Sequence, residues 1–240
     1  VRTPDAFPQQ WAMTQNNLAV AYGDRIRGER AENLEAAIAA YEAALQVYTP
    51  DAFPQDWAMT QNNLGNAYGD RIRGERAENL EAAIAAYEAA LRVYTPEAFP
   101  QQWAGTQNNL GNAYHNRIRG EQADNLELAI AAYQSALEIR SRNAFPQNNA
   151  ETLFNLGLTY RDANQLAQAR NTFAEAINTI ELLRGEIRSG DEVKRKLNEE
   201  WNKLFRRAIE VCIELKDYNQ AIEYADRSKA RNLVELMAVR

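Results

Sequence analysis

Apolar residues recur three and four positions apart through long stretches of this chain, the spacing of amphipathic helices, and Pro and Gly punctuate the stretches. In residues 54–73, PQDWAMTQNNLGNAYGDRIR, a helix turning about 100° per residue places Trp57, Leu64, Tyr68 and Ile72 on one side and Met59, Asn62, Asn63, Asn66 and Asp70 on the other. Residues 80–94, LEAAIAAYEAALRVY, predict a second helix whose alanines permit a close neighbour. Thr49-Pro50 stops the helix before, and Pro54 suits a first helical turn, where its missing N–H costs nothing. Gly74 is placed to end the first helix in a left-handed conformation, and Asn79 to cap the second. The result is a helical hairpin, neither half of which can bury its apolar stripe alone.

The hairpin repeats. Phe7, Phe53, Phe99 and Phe145 stand 46 residues apart, as do Leu18, Leu64, Leu110 and Leu156, and Tyr22, Tyr68, Tyr114 and Tyr160. Units span about 3–48, 49–94, 95–140 and 141–188, with a degenerate fifth over 191–240 in which Phe205, Ile209, Ala221 and Ala225 take the apolar positions. Trp11, Trp57 and Trp103 open the first helices on the apolar stripe, with Asn149 in the fourth position, which predicts packing between adjacent hairpins. Stacked units of this kind share one continuous core.

Leu64-Gly65-x-Ala67-Tyr68, followed by Ala83-x-x-x-Tyr87-x-x-Ala90 and Pro96, resembles the tetratricopeptide repeat. The usual period of that family is about 34 residues. The additional residues fall between the helices, in RIRGERAENLE, and in the TPDAFPQ connection; from Tyr160 to Ala169, Phe173 and Ala176 the inner spacing returns to the usual one. The resemblance implies an all-α, right-handed superhelix of about five hairpins, a single solenoid over residues 1–240 that serves as a non-enzymatic protein-interaction module.

By the same resemblance the first helices line a concave groove, so their asparagine side looks into it. Stacking makes rows: Asn17, Asn63, Asn109 and Asn155; Asn16, Asn62 and Asn108; Asn66 and Asn112. These resemble the asparagine ladder of kinesin-light-chain-type repeats, which also read x-N-N-L. An Asn amide both donates and accepts, so a ladder can grip the main chain of an extended peptide. Choice of side chain is then left to neighbours such as Met13, Met59, Asp24 and Asp70. Two other readings stand beside this one: the amides bond neighbouring helices and fix the stacking, or they sit in water. Val20, Phe154 and Leu158 interrupt the rows and predict a more apolar groove toward the fourth unit.

Composition narrows the class. Hydrophobic residues at 45% and charged residues at 25% suit a folded chain, and a net charge of −6 without a basic block speaks against nucleic acid. Lys194-Arg195-Lys196 reads as a solvated helix face, and no run of residues is apolar enough for a membrane span. Arg25, Arg27, Arg71, Arg73, Arg117 and Arg119 are expected at the C-termini of first helices, where cations complement the helix dipole. The lone Cys212, in IEVCIEL, reads as a buried thiol of a cytoplasmic protein. His115 has no second His, Cys pair or acidic pair at ligand spacing; no metal, cofactor, phosphate loop or activated nucleophile is expected.

Both ends look cut from something longer: Val1-Arg2-Thr3-Pro4 matches the junction Val47-Tyr48-Thr49-Pro50, and the far end stops within a helical pattern. Residues 228–238, SKARNLVELMA, are similar to the junction after tetratricopeptide arrays in bacterial proteins with a caspase-like CHAT domain. That resemblance implies a recognition or regulatory arm of a larger protein. The alternative is a scaffold or spacer with weak end-to-end self-association through an uncovered first helix.

Overall fold

The computed structural model describes the backbone of residues 3–186 and 191–238, and the side chains of 3–183 and 201–228. Its described residues form α-helices without strands: α1 (Pro8–Gly23), α2 (Arg30–Leu45), α3 (Pro54–Asp70), α4 (Arg76–Leu91), α5 (Pro100–His115), α6 (Gln122–Ile139), α7 (Pro146–Asp162), α8 (Leu166–Glu186), α9 (Asp191–Glu214) and α10 (Tyr218–Ala238). The chain divides into two compact units, Val1–Ile139 with α1 to α6 and Arg140–Arg240 with α7 to α10. The Lys194-Arg195-Lys196 run and all but the first residue of 228–238 lie outside the described side chains.

In the first unit the hairpins α1–α2, α3–α4 and α5–α6 stack in order, α3 packing on α2 and α5 on α4. Each first helix begins with Pro after a Phe whose backbone is neither helical nor extended, with φ −142° and ψ 63° at Phe7 and nearly the same at Phe53 and Phe99. The Phe side chain caps nothing; the turn before it is closed by a threonine, whose Oγ1 accepts from a backbone N–H three residues on, as Thr49 does from Ala52 at 3.2 Å. One apolar cluster gathers Tyr48, Trp57 and Tyr94 around Ala12, Ala44, Ala58 and Ala90, with Trp11, Phe53, Phe99 and Trp103 packed against it. Two others hold Leu64 against Ile38 and Tyr41, and Leu110 against Ile84 and Tyr87. The recurring tryptophans and leucines thus serve the seams between hairpins.

Three sequence expectations need correction. The first helix of the second hairpin ends at Asp70, not near Arg73, so Ile72 leaves the buried stripe and stands 61% exposed. Gly74 is left-handed, with φ 79°, but it lies in the loop rather than at the helix end. Asn79 is not an N-cap: α4 starts at Arg76, and Asn79 sits buried in its first turn, donating from Nδ2 to the carbonyls of Arg73 at 2.8 Å and Arg71 at 3.4 Å. A buried amide that pins two loop carbonyls satisfies more backbone than a cap would. Asn33 and Asn125 repeat the arrangement.

In the second unit α7 packs on α8, α8 on α9, and α9 on α10. The turns are shorter. Asn164 and Lys216 take left-handed conformations, and Gln165 and Asp217 donate back to the carbonyls of Tyr160 and Cys212 at 2.7 and 2.8 Å, closing each preceding helix. Asn149, at the tryptophan position, is buried in a polar junction: its Nδ2 donates to the Arg140 carbonyl at 2.7 Å and its Oδ1 accepts from Thr179 at 3.0 Å. Cys212 is fully buried, which pushes its thiol pKa up and away from reactivity.

Candidate functional site

The asparagine rows separate by depth. Asn16 and Asn108 are buried and Asn62 half-buried. Thr60, fully buried on α3, donates to Asn16 Oδ1 at 3.2 Å, and Thr106 on α5 donates to Asn62 Oδ1 at 3.1 Å. Each bond joins one first helix to the next, so these two amides lie within the stack. Asn17 is exposed, Met59 is 38% exposed, and Asn63 is half-buried beside Asn62, whose Nδ2 reaches its Oδ1 at 3.4 Å. In the second unit Asn155 is half-buried on α7.

Asn66, Asn109 and Asn112 come together differently. With Asp70 and Asn116 they line an open cleft of about 430 Å³ between α3 and α5, floored by Leu80, Ala83 and Tyr87 of α4. Asn109 donates from Nδ2 to Asn66 Oδ1 at 3.1 Å and to Asn62 Oδ1 at 3.4 Å. Tyr87 donates its hydroxyl to Asn66 Oδ1 at 2.8 Å, and Tyr133 does the same for Asn112 at 2.6 Å. Burial, with Asp70 close by, pushes the Tyr87 pKa well above its ordinary value, so its hydroxyl stays a donor.

Glycine permits this. A Cβ at Gly65 would stand 2.6 Å from the Tyr87 ring, and one at Gly111 2.7 Å from the Tyr133 ring. Only a bare backbone lets each ring lie flat enough for its hydroxyl to reach the next asparagine. The remaining rim of the cleft is polar, with Arg76 donating from Nη1 to the Gly69 carbonyl at the end of α3 and Asp70 paired with Arg30 at 3.6 Å.

The arginine rows do not sit at the helix C-termini as the sequence predicts: α1, α3 and α5 end at Gly23, Asp70 and His115, so that only Arg71 takes a C-cap position and Arg25, Arg27, Arg73, Arg117 and Arg119 lie in the loops. Arg71 makes a two-pronged pair with Glu35 of the preceding hairpin, and Arg117 with Glu81, all four contacts at 2.7 Å. Tyr68 and Tyr114 donate to Glu42 and Glu88 at 2.7 Å, and burial first, then the carboxylate bond, pushes both phenols up to about 12. The hydrogen bonds from Arg71 and Arg117 hold the Glu35 and Glu81 carboxyls below their ordinary range. The signal was present in the repeat, since Glu35 and Glu81 are 46 apart like the arginines, but only packing pairs residues 36 positions distant. The roles of Gly65, Tyr87, Gly111 and Tyr133 likewise escaped sequence reasoning.

Among the described residues no group of His, Cys, Asp and Glu could hold a metal ion, and no helix is long and apolar enough to cross a membrane. No curated protein matches the chain. A solved structure, the crystal structure of BtubC (BKLC) from P. vanneervenii, is similar in fold: TM-score 0.60, 20% sequence identity, with 94% of this chain and 91% of that one covered. Tetratricopeptide repeat models match residues 11–51, 57–92 and 104–181, together more than half of the sequence. With helix pairs packed in chain order and glycine-to-ring contacts in successive hairpins, the chain belongs to the tetratricopeptide repeat family.

Proposed function

We propose that the first unit binds an extended peptide, or an extended segment of a partner protein, in the cleft between α3 and α5. Tetratricopeptide repeats are in general protein-interaction modules, and their fold is typically non-catalytic. The observation that carries the reading is the convergence of Asn66, Asn109 and Asn112 on one open cleft, with half of each amide turned to internal partners and half left for a ligand. Asn16, Asn62 and Asn108 belong to the stack in this reading, Asp70 supplies charge at the cleft, Met59, Asn17 and Asn63 are further candidates on the first helices of the same unit, and Asn155, in the second unit, is a candidate separate from this cleft.

The test is selection from a random-sequence peptide library against the intact chain, followed by affinity measurement on Asn109→Ala. The expected result is a loss of roughly tenfold or more with little change in the unfolding midpoint. Selected peptides that bind Asn109→Ala as well as the parent would sink the proposal.

A second reading, a self-associating scaffold, is favoured by the exposure of Phe7, Met13, Leu18 and Val20 near α1. Sedimentation across a concentration series checks it, a strict monomer counting against. The role as an arm of a larger CHAT-containing protein rests on the resemblance of residues 228–238.

A further inference from the structure

Two hairpins share a three-part device whose purpose packing alone does not explain. A glycine on the first helix admits the ring of a second-helix tyrosine, and the tyrosine hydroxyl ends on the Oδ1 of the asparagine that follows the glycine: Gly65, Tyr87 and Asn66; Gly111, Tyr133 and Asn112. If the ring were wanted only for filling, a phenylalanine would serve, as Phe173 does against Gly157, where a Cβ would stand 2.5 Å away and the following residue is Leu158. At Phe173 hydroxyl and amide are both absent, and in the first hairpin Tyr41 keeps its hydroxyl although Val20 stands at the asparagine position, so the amide occurs only together with both the glycine and the hydroxyl.

The pairing sets which end of each amide the cleft displays. The Oδ1 of Asn66 is occupied by Tyr87 and Asn109, and that of Asn112 by Tyr133, so both asparagines turn Nδ2 donors outward. Asn109 spends its Nδ2 on Asn62 and Asn66 and turns its Oδ1 acceptor outward. Asn66 touches Asn109, and Asn112 lies one helical turn beyond it. The cleft therefore shows donor, acceptor and donor in sequence. One edge of an extended main chain offers the complement in C=O of residue i, N–H of residue i+2 and C=O of residue i+2. A carboxylate or phosphate, acceptor only, matches two of these groups and opposes the third as well as Asp70.

We propose that Tyr87 and Tyr133 are positioning residues, which lock the amides of Asn66 and Asn112 so that the cleft reads the alternating acceptors and donor on the main-chain edge of an extended peptide. This rests on the peptide-binding reading above. The hydroxyls do not touch the ligand; they decide that Asn66 and Asn112 donate to it.

The experiment uses a peptide selected from the random-sequence library and the intact chain with Tyr87→Phe and Tyr133→Phe together, a change the fold already accommodates at Phe173. Affinity is expected to fall about fivefold to tenfold. An ester scan of the peptide, which removes one main-chain N–H at a time, is expected to show one sharply costly position with the parent, a cost that disappears in Asn109→Ala and spreads over several positions in the double Phe variant. A merely structural role for the tyrosines would not move that profile. Unchanged affinity and an unchanged ester profile in the double Phe variant, with binding still lost in Asn109→Ala, would overturn the positioning role and leave the peptide reading intact. Failure of every selected peptide to depend on Asn109 would overturn both.

Discussion

The hairpins α1–α2 and α3–α4 differ between residues 3–48 and 49–94 at only four positions, Gln10/Asp56, Ala19/Gly65, Val20/Asn66 and Gln46/Arg92, yet their first helices live in different surroundings. Leu64 is 6% exposed because α2 covers it, whereas Leu18 is 41% exposed, no described helix lying on that side of α1. Arg71 is bound to Glu35, while Arg25 is exposed. Identical residues at identical helical positions thus do different work, and their contribution is set by the neighbouring hairpin. Three of the four differences also sit where a second residue responds. Arg92 stacks 5.7 Å over the ring of Trp57, while Gln46 stands in the matching place of the first hairpin; Gly65 and Asn66 together admit and receive Tyr87, while Ala19, Val20 and Tyr41 hold the matching sequence positions of the first hairpin.

The comparison can be broken most forcefully at the leucines. Leu64→Ala is expected to destabilise the first unit by about 2–5 kcal/mol, and Leu18→Ala by less than about 1 kcal/mol, read as shifts in urea unfolding midpoint. Equal losses would mean that burial between hairpins is not what separates them. Next comes the polar seam: Thr60→Val removes a buried hydroxyl and leaves Asn16 short of a partner, which should cost about 1–2 kcal/mol.

The ion pairs come third. Arg71→Ala should cost about 1 kcal/mol, since both partners are nearly three-quarters shielded and the contact is two-pronged, and Arg25→Ala should fall within about 0.5 kcal/mol of zero. These pairs also set a pH dependence. The Glu35 carboxyl is lowered from 4.5, so its stabilisation is present above that value and is lost as pH falls through the lower folded one. Unfolding midpoints at about pH 6 and about pH 3 should differ more for the parent than for Glu35→Gln.

The smallest effect sharpens the comparison instead of breaking it. Converting the first hairpin with Ala19→Gly and Val20→Asn should change stability by less than about 1 kcal/mol, the helix cost of glycine being offset by the new bond to Tyr41. Burial, and after it Asp24, pushes Tyr41 up to about 12, so its hydroxyl remains a donor for the new amide. A side-chain amide spectrum showing the introduced amide as restrained as that of Asn66 would check the transfer.

Much of the architecture was legible because the repeat printed it several times over. Prolines at helix starts and the tryptophans landed where periodicity placed them, and so did Leu64 and Leu110 of the stripe, while Leu18 stayed exposed and Ile72 left it. The loop was not legible. Asn79 has the chemistry of a cap, and a wheel drawn to Arg73 had no way to know that two loop carbonyls would compete for its amide and end the helix at Asp70. Of the candidate site, the polar side of the first helix was visible, but its division was not: Asn62, Asn63 and Asn66 lie within about one helical turn of each other, and helical angle carries no information on the distance to the next hairpin.

What the sequence alone determined is the element, a hairpin with one apolar and one amide-bearing side, because helical period and backbone punctuation are local properties that each residue carries with it. What only the tertiary structure decided is which amides are spent inside the stack and which border the open cleft. That choice depends on the distance between neighbouring first helices and on whether a tyrosine hydroxyl can cross a glycine to reach an oxygen, and both are set by packing between residues about twenty to forty-five positions apart.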